Sequence, residues 1–224
     1  MFAVFRSAVV LLVLLGLLGC STPFRKRSVL VIGDSNGAAP DGWVTQLQDL
    51  RGDGPLVNTS LSGNTLGFND GGFERNTLEN LSPYLRRGYA EMGGIDEILI
   101  GLGTNDCKQK FSDRHPEIIA HLETLLTRTS AFFAERGQEM PRIVLLTPPP
   151  AGDNRQVSEE FQGVKQCTAE LSAQVRELAA REGYCLVDLQ DKPGDEVLQY
   201  SRDGIHFNPR GYRTLARRIV SSCY

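Results

Sequence analysis

The chain has 224 residues, with 27 acidic and 24 basic side chains and a formal net charge of −3 at pH 7. This balance, without a basic run interleaved with aromatic residues, argues against nucleic acid as a partner. The length suits one domain with a sizeable core.

The first 19 residues have the pattern of an export signal. Arg6 supplies a basic start, and residues 8–18 form an apolar run shorter than the roughly 20 residues of a membrane span. The run ends in "LLGC", which resembles a bacterial lipobox, where the cysteine is lipidated. We therefore predict a signal peptide over 1–19 and lipidation of Cys20. An ordinary signal cleaved nearby, with Cys20 incidental, is the alternative.

A short polar segment separates Cys20 from the first apolar strand pattern. We predict a lipidated tether over 20–27 and a folded domain over 28–224. Ser21 after the cysteine resembles the outer-membrane sorting pattern of Gram-negative lipoproteins. The expected location is therefore the outer membrane, facing the periplasm, with the membrane as a partner through Cys20.

From residue 28 the chain alternates short apolar runs with helical patterns. In chain order we predict a strand over 28–33, a helix over 41–50, a strand over 55–61, a helix over 74–86, a strand over 97–103, a helix over 115–136, a strand over 142–148, a helix over 158–182, a strand over 184–189 and a helix over 209–220. Short continuous apolar strands are typical of parallel sheets covered on both faces. The pattern predicts a three-layer α/β/α domain with a central, mostly parallel five-stranded sheet.

Polar residues follow several of the predicted strands. In open parallel sheets, sites lie at the carboxyl ends of the strands. Ser35, Gly63, Asn105 and the loop after Thr147 should therefore share one edge. Ser35 comes just after the first apolar run and Asp34, in "VLVIGDS", where a small exposed serine is either a turn residue or a nucleophile.

A nucleophilic serine needs a base and a group that orients the base. The chain has three histidines. His115 and His121 fall in the long predicted helix, and we expect them to be solvated there. His206 lies in a loop before the last helix, with Asp203 three residues upstream. That spacing lets the carboxylate reach the imidazole, although Asp203 as a local turn cap is the alternative.

Four short blocks occur along the chain in a fixed order. They are "GDSN" (33–36), "LSGNT" (61–65), "LGTND" (102–106) and "DGIHF" (203–207). A lone Gly-Asp-Ser is a weak signal, because these are common turn residues. Together, however, the blocks resemble the SGNH, or GDSL-type, hydrolase family, which implies a flavodoxin-like α/β/α fold.

The resemblance implies roles for three of the residues in these blocks. Ser35 corresponds to the nucleophile, His206 to the base and Asp203 to the acid that orients the base. Catalysis of this kind requires no metal and no organic cofactor.

The resemblance also implies an oxyanion site. Its donors would be the main-chain N–H groups of Ser35 and Gly63 and the side-chain amide of Asn105. Glycine lets the main chain approach a substrate, and an amide donates without a protonation requirement. We expect Asp34 and Asp106 to be structural and to bond loop amides.

A narrower similarity concerns "LSGNTLGFNDGGFERN", "LGTNDCKQKF" and the prolines at 148–150. These segments look like the arylesterase and acyltransferase branch of the family, although Asn36 stands where the family name has leucine. The expected protein is a serine esterase for short acyl groups, such as acetyl esters of carbohydrates or aryl esters, with acyl transfer also open. The alternatives are a lysophospholipase or thioesterase for longer chains and a non-catalytic envelope-binding lipoprotein.

Four cysteines remain besides Cys20, and an exported chain can form disulfides. Their spacing argues against zinc. Three pairings are possible, and free buried thiols are the alternative. Cys107 and Cys167 should both border the active edge, whereas Cys185 begins the fifth strand and Cys223 ends the last helix. We therefore predict the pairs Cys107–Cys167 and Cys185–Cys223.

Overall fold

The computed structural model describes residues 23–224. The predicted signal peptide and Cys20 lie outside the described residues, so the hypotheses about them stay predictions. Within residues 23–224, no helix is long and apolar enough to cross a membrane.

A five-stranded sheet forms the centre of the domain. Its strands are β1 (Val29–Gly33), β2 (Leu56–Asn58), β3 (Glu97–Gly101), β4 (Arg142–Leu146) and β5 (Cys185–Val187). Their order across the sheet is β2-β1-β3-β4-β5, and every neighbouring pair is parallel. The prediction of a mostly parallel five-stranded sheet is confirmed.

Within residues 23–224, six α-helices connect and cover the strands. They are α1 (Ser35–Ala38), α2 (Trp43–Arg51), α3 (Thr77–Met92), α4 (Ile118–Ala134), α5 (Val164–Glu182) and α6 (Pro209–Cys223). Successive side chains of a strand point to opposite faces. Leu30 and Ile32 of β1 therefore pack in one core with α3, α4 and α5. Val29 and Val31 pack in a second core with α2 and α6, which confirms the three layers.

Four predicted helices begin later than expected, including those predicted over 41–50 and 158–182, which begin at Trp43 and Val164. The helix predicted over 74–86 begins at Thr77, because the Asn76 side chain caps it by accepting from the N–H of Leu78 at 3.0 Å. The helix predicted over 115–136 begins at Ile118, after a 3₁₀ segment over Gln109–Glu117 that contains the proline. A proline has no N–H to donate, so it fits ahead of the α-helical hydrogen bonds.

Half of the predicted tether is folded onto the domain. The ring of Phe24 stacks on Tyr224 with 3.5 Å between ring centroids. Arg51 donates from Nη2 to the carbonyl oxygens of Phe24 and Arg27 at 3.2 and 2.6 Å. These contacts hold residues 24–27, the second half of the predicted tether, at the amino end of β1.

The four remaining cysteines form two disulfides. The sulfur atoms of Cys107 and Cys167 lie 1.99 Å apart, and those of Cys185 and Cys223 lie 1.90 Å apart. These are the predicted pairs. The first joins the segment after β3 to the start of α5, and the second joins β5 to the end of α6.

Candidate active site

Ser35 lies where the inner strand β1 turns into a one-turn helix. Asp34 caps that turn, because its Oδ1 accepts from the N–H of Asn36 at 3.0 Å. The N–H of Ser35 opens the first turn of the helix, where no earlier carbonyl of the helix can accept it. The strand end therefore presents both the hydroxyl and an N–H donor of Ser35 at the carboxyl edge of the sheet.

The loop before α6 brings two more predicted residues to Ser35. Ser35 Oγ lies 2.8 Å from His206 Nε2, and His206 Nδ1 lies 2.7 Å from Asp203 Oδ2. A bridge between Ser201 and Phe207 closes the loop. The three side chains thus form one continuous line of contacts from hydroxyl to carboxylate.

The two oxygens of Asp203 have different partners. Oδ1 accepts from the main-chain N–H groups of Ile205 and His206 at 3.0 and 2.8 Å, whereas Oδ2 faces the imidazole. Asp203 therefore caps the local turn through one oxygen and contacts His206 through the other, so both interpretations of this residue hold. The hydrogen bonds to Oδ1 thus hold Oδ2 beside Nδ1 of the imidazole.

The charge of Asp203 decides which nitrogen of His206 carries the proton. Partial burial opposes ionisation, but the hydrogen bonds from His206 and Ile205 outweigh it and lower the pKa of Asp203 to about 2. An ionised carboxylate only accepts hydrogen bonds. Nδ1 therefore carries the proton, and Nε2 is left to accept from the hydroxyl of Ser35.

Gly63 sits in a tight turn beside the end of β1. The N–H of Asn64 donates to the carbonyl of Leu61 at 3.0 Å, and the N–H of Leu61 donates to the carbonyl of Gly33 at 3.2 Å. Gly63, third residue of that turn, has a φ of 78°, a conformation that favours glycine. The turn therefore holds bare main chain next to the strand that carries Ser35.

The amide of Asn105 reaches the same place from the end of β3. Asn105 is 4% exposed, and its Nδ2 donates to the carbonyl of Asn64 at 3.0 Å. The Nδ2 of Asn64 in turn donates to the carbonyl of Gly33 at 3.0 Å. One N–H of the Asn105 amide remains for a substrate oxygen. Asn64 is therefore a supporting residue that was not predicted, although its position beside Gly63 in "SGNT" was a usable signal.

Two buried carboxylates support these loops. Both oxygens of Asp106 lie 2.9 Å from the N–H of Leu66, and Asp34 bonds the N–H of Asn36, so the expectation that they bond loop amides is confirmed. Burial raises the pKa of Asp34 to about 6 and that of Asp106 to about 7. These groups hold the backbone around the site.

The residue that departs from the family name is buried. Asn36 is 2% exposed, and its Oδ1 accepts from the Tyr212 hydroxyl in α6 at 3.2 Å. Burial raises the pKa of Tyr212 to about 12, so the hydroxyl stays a neutral donor. Asn36 therefore links the turn that bears Ser35 to the helix that follows His206.

The other two histidines do not reach Ser35, and the expectation that both are solvated residues of one α-helix is wrong. His115 lies in the 3₁₀ segment. His121 packs edge-on against Phe68 with 4.8 Å between centroids, and burial lowers its pKa. The loop 66–68 covers the helix there, which periodicity alone does not reveal. Across residues 23–224, no group of three or more His, Cys, Asp or Glu side chains is placed to hold a metal ion.

The fold is a three-layer α/β/α sandwich in which a serine at the end of β1 contacts a histidine from the loop before α6. The family model of GDSL-like lipases and acylhydrolases matches residues 31–214. The chain belongs to this family. No curated protein matches the sequence significantly.

Solved structures of similar fold include two esterases at 25% identity. Est24, a carbohydrate acetylesterase from Sinorhizobium meliloti, has a TM-score of 0.67, with 88% of this chain and 97% of that chain covered. The inhibitor-bound aryl esterase of M. smegmatis also has a TM-score of 0.67, with 88% and 99% covered. A carbohydrate acetylesterase family member from Sinorhizobium meliloti shares the fold at 23% identity and a TM-score of 0.67, over 85% of this chain and 94% of that one.

Family and fold together make the protein an ester-hydrolysing enzyme. This excludes the alternative of a non-catalytic envelope-binding lipoprotein. The predicted membership of the SGNH or GDSL-type hydrolases is confirmed.

Proposed function

We propose that the protein is a serine esterase that acts through an acyl-enzyme on Ser35. The observation that supports this most strongly is the line of contacts from Ser35 Oγ to His206 Nε2 at 2.8 Å and from His206 Nδ1 to Asp203 Oδ2 at 2.7 Å. Such an arrangement activates a hydroxyl, because the imidazole takes its proton while the carboxylate stabilises the imidazolium that forms.

The reaction begins when Ser35 Oγ attacks the ester carbonyl carbon and its proton moves to His206 Nε2. The carbonyl oxygen becomes an oxyanion, held by the N–H groups of Ser35 and Gly63 and by the amide of Asn105. The bond to the alcohol oxygen then breaks, and His206 returns the proton to that oxygen. A water molecule, or an acceptor alcohol, repeats the sequence on the acyl-enzyme and frees Ser35.

We propose short acyl groups, such as acetyl esters of carbohydrates or aryl esters, as substrates. The support is the similarity to a carbohydrate acetylesterase and an aryl esterase, each at 25% identity. A panel of p-nitrophenyl esters from acetate to palmitate, together with an acetylated sugar, tests the acyl length. A preference for the long chains would favour the lysophospholipase or thioesterase alternative.

The mechanism is tested by Ser35→Ala on the same panel. Because the three side chains act as a unit, we expect a loss of roughly 10³-fold or more in kcat. The variant should unfold at the same urea concentration as the wild type, since the change removes one half-buried oxygen. Unchanged turnover in the folded variant would overturn the serine mechanism.

The proposed anchor at Cys20 has a consequence for orientation. The structure holds Phe24–Lys26 at the amino end of β1, whereas Ser35 follows its carboxyl end. A five-residue strand spans about 17 Å. A membrane anchor a few residues before Phe24 therefore leaves the active edge facing away from the bilayer, toward soluble or polymeric esters.

A further inference from the structure

Arg75 lies directly against the glycine of the proposed oxyanion site. A β-carbon built on Gly63 would lie 3.2 Å from Arg75 Cδ and 3.5 Å from its Nε and Nη1. Because Gly63 has no side chain, the stem and the guanidinium of Arg75 rest on bare main chain there. The arginine is therefore beside the place where the ester carbonyl binds.

The main chain of Arg75 is fixed to the same loop. Its carbonyl accepts from the N–H of Thr65 at 2.8 Å and lies 3.0 Å from Thr65 Oγ1, a hydroxyl that it shares with the carbonyl of Phe68. Thr65 is fully buried and follows Gly63 by two residues. This double contact means that the position of Arg75 is set by the oxyanion loop.

The charge of Arg75 has no partner among residues 23–224, where its exposed side chain makes no hydrogen bond or ion pair. Neither Glu74 nor Glu79, the acids nearest along the chain, forms an ion pair with it in the described part of the chain. The carboxylate of Glu74 lies against Gly72, and Asp70 pairs with Lys108 at 2.8 Å. A cation held at this position is thus left uncompensated.

We propose that Arg75 binds an anionic group, a carboxylate, that the substrate carries close to the scissile ester. Arginine presents several N–H groups in a plane and binds carboxylates in a bidentate manner. This inference rests on the proposed esterase function and narrows its substrates to acidic esters, for example an acylated acidic sugar. The carboxylate belongs either to the acyl half or to the alcohol half of the ester.

The test compares matched esters that differ in one charge. For the alcohol half the pair is 4-carboxyphenyl acetate and 4-carbamoylphenyl acetate; for the acyl half it is phenyl hydrogen adipate and phenyl adipamate. The quantity measured is the ratio of kcat/KM for the anionic ester to that for its neutral partner. Taking the ratio cancels changes that affect both esters equally.

Arg75→Gln should lower this ratio between about threefold and thirtyfold in one of the two arms, as expected for a charged hydrogen bond at an exposed site. Arg75→Lys should retain part of it, and the difference should shrink in high salt. Arg86→Gln is the matched control. Arg86 is an exposed residue of α3, and nine residues of helix, about 13 Å, separate it from Thr77.

The inference is overturned if Arg75→Gln leaves the ratio unchanged in both arms, or if Arg86→Gln lowers it equally. If Arg75→Gln lowered kcat/KM equally for the charged and the neutral ester, the inference would also be overturned. That result would mean that Arg75 supports the structure of the loop and does not recognise the substrate carboxylate. These outcomes are distinct from failure of the esterase proposal, since Ser35-dependent turnover of the neutral esters would persist in each of them.

Discussion

The proposed oxyanion site makes a quantitative prediction for Asn105→Ala. The change removes one of three donors while leaving Ser35, His206 and Asp203 untouched. Loss of one such donor lowers kcat by about 10²- to 10³-fold, equivalent to roughly 2.7–4 kcal/mol of transition-state stabilisation. KM should change much less, because the oxyanion exists only in the transition state and the intermediate.

The same substitution has a cost in folding that the structure lets us separate from catalysis. Asn105 donates to the carbonyl of Asn64 at 3.0 Å in a buried place, and an unpaired buried acceptor costs about 1–3 kcal/mol. A domain with a stability of about 5–15 kcal/mol tolerates this loss. Urea unfolding should therefore show a weakened but cooperatively folded variant.

The assay measures kcat and KM on a soluble aryl acetate at a pH where the wild type is fully active. Asn105→Asp is the matched variant, because it keeps the size of the side chain but offers no N–H when ionised, and it should be at least as impaired. A folded Asn105→Ala enzyme with intact kcat and a raised KM would show that Asn105 only binds substrate. That result would refute the oxyanion role.

Three further outcomes are expected. Peptide mapping without reduction should give a Cys107–Cys167 peptide and no Cys107–Cys223 peptide, and replacing both residues of the first pair by serine should cost about 4 kcal/mol for a loop of 60 residues. Burial raises the pKa of Asp106 from 3.8 to about 7, so its contribution to stability is complete below about pH 4 and is lost as the pH rises through 7. Between pH 5 and 8 the free energy of unfolding of the wild type, measured in urea, should fall, and Asp106→Asn should make this fall shallower by up to about 1.4 kcal/mol per pH unit. If the wild type and the variant lost stability with the same slope, the raised pKa would be contradicted. Cells given radioactive fatty acid should label the wild type but not Cys20→Ser, whereas an unlabelled wild type in the soluble fraction would contradict lipidation.

The sheet was predictable because its strands are short, continuous apolar runs between helical patterns. The active edge was predictable because "GDSN" and "LGTND" each follow such a run, and parallel strands bring their carboxyl ends together. The roles of His206 and Asp203 were implied by the family resemblance, because their spacing alone left a local turn cap as the alternative. These signals are short and local in the sequence, and the parallel sheet brings the residues that carry them together at one edge.

What the sequence did not reveal depends on contacts between distant segments. The stacking of Phe24 on Tyr224 joins the two ends of the described chain, and nothing local in the polar segment 24–27 indicates that contact. His121 looked like a solvated helix residue because the loop that covers it, which contains Phe68, comes from another part of the chain. The sequence carries no signal for the position of Arg75, because the turn at Gly63 is what places it beside the site.

The most direct test of the serine mechanism is the site of covalent labelling. A fluorophosphonate reacts with a serine whose hydroxyl an adjacent base activates, because attack on phosphorus needs the same proton transfer as attack on an ester. Intact-mass measurement of the wild type should show one adduct, tandem mass spectrometry should map it to Ser35, and Ser35→Ala should stay unlabelled. A wild type that hydrolyses aryl acetates but takes no label, or a label that persists in Ser35→Ala, would contradict the assignment of Ser35 as nucleophile.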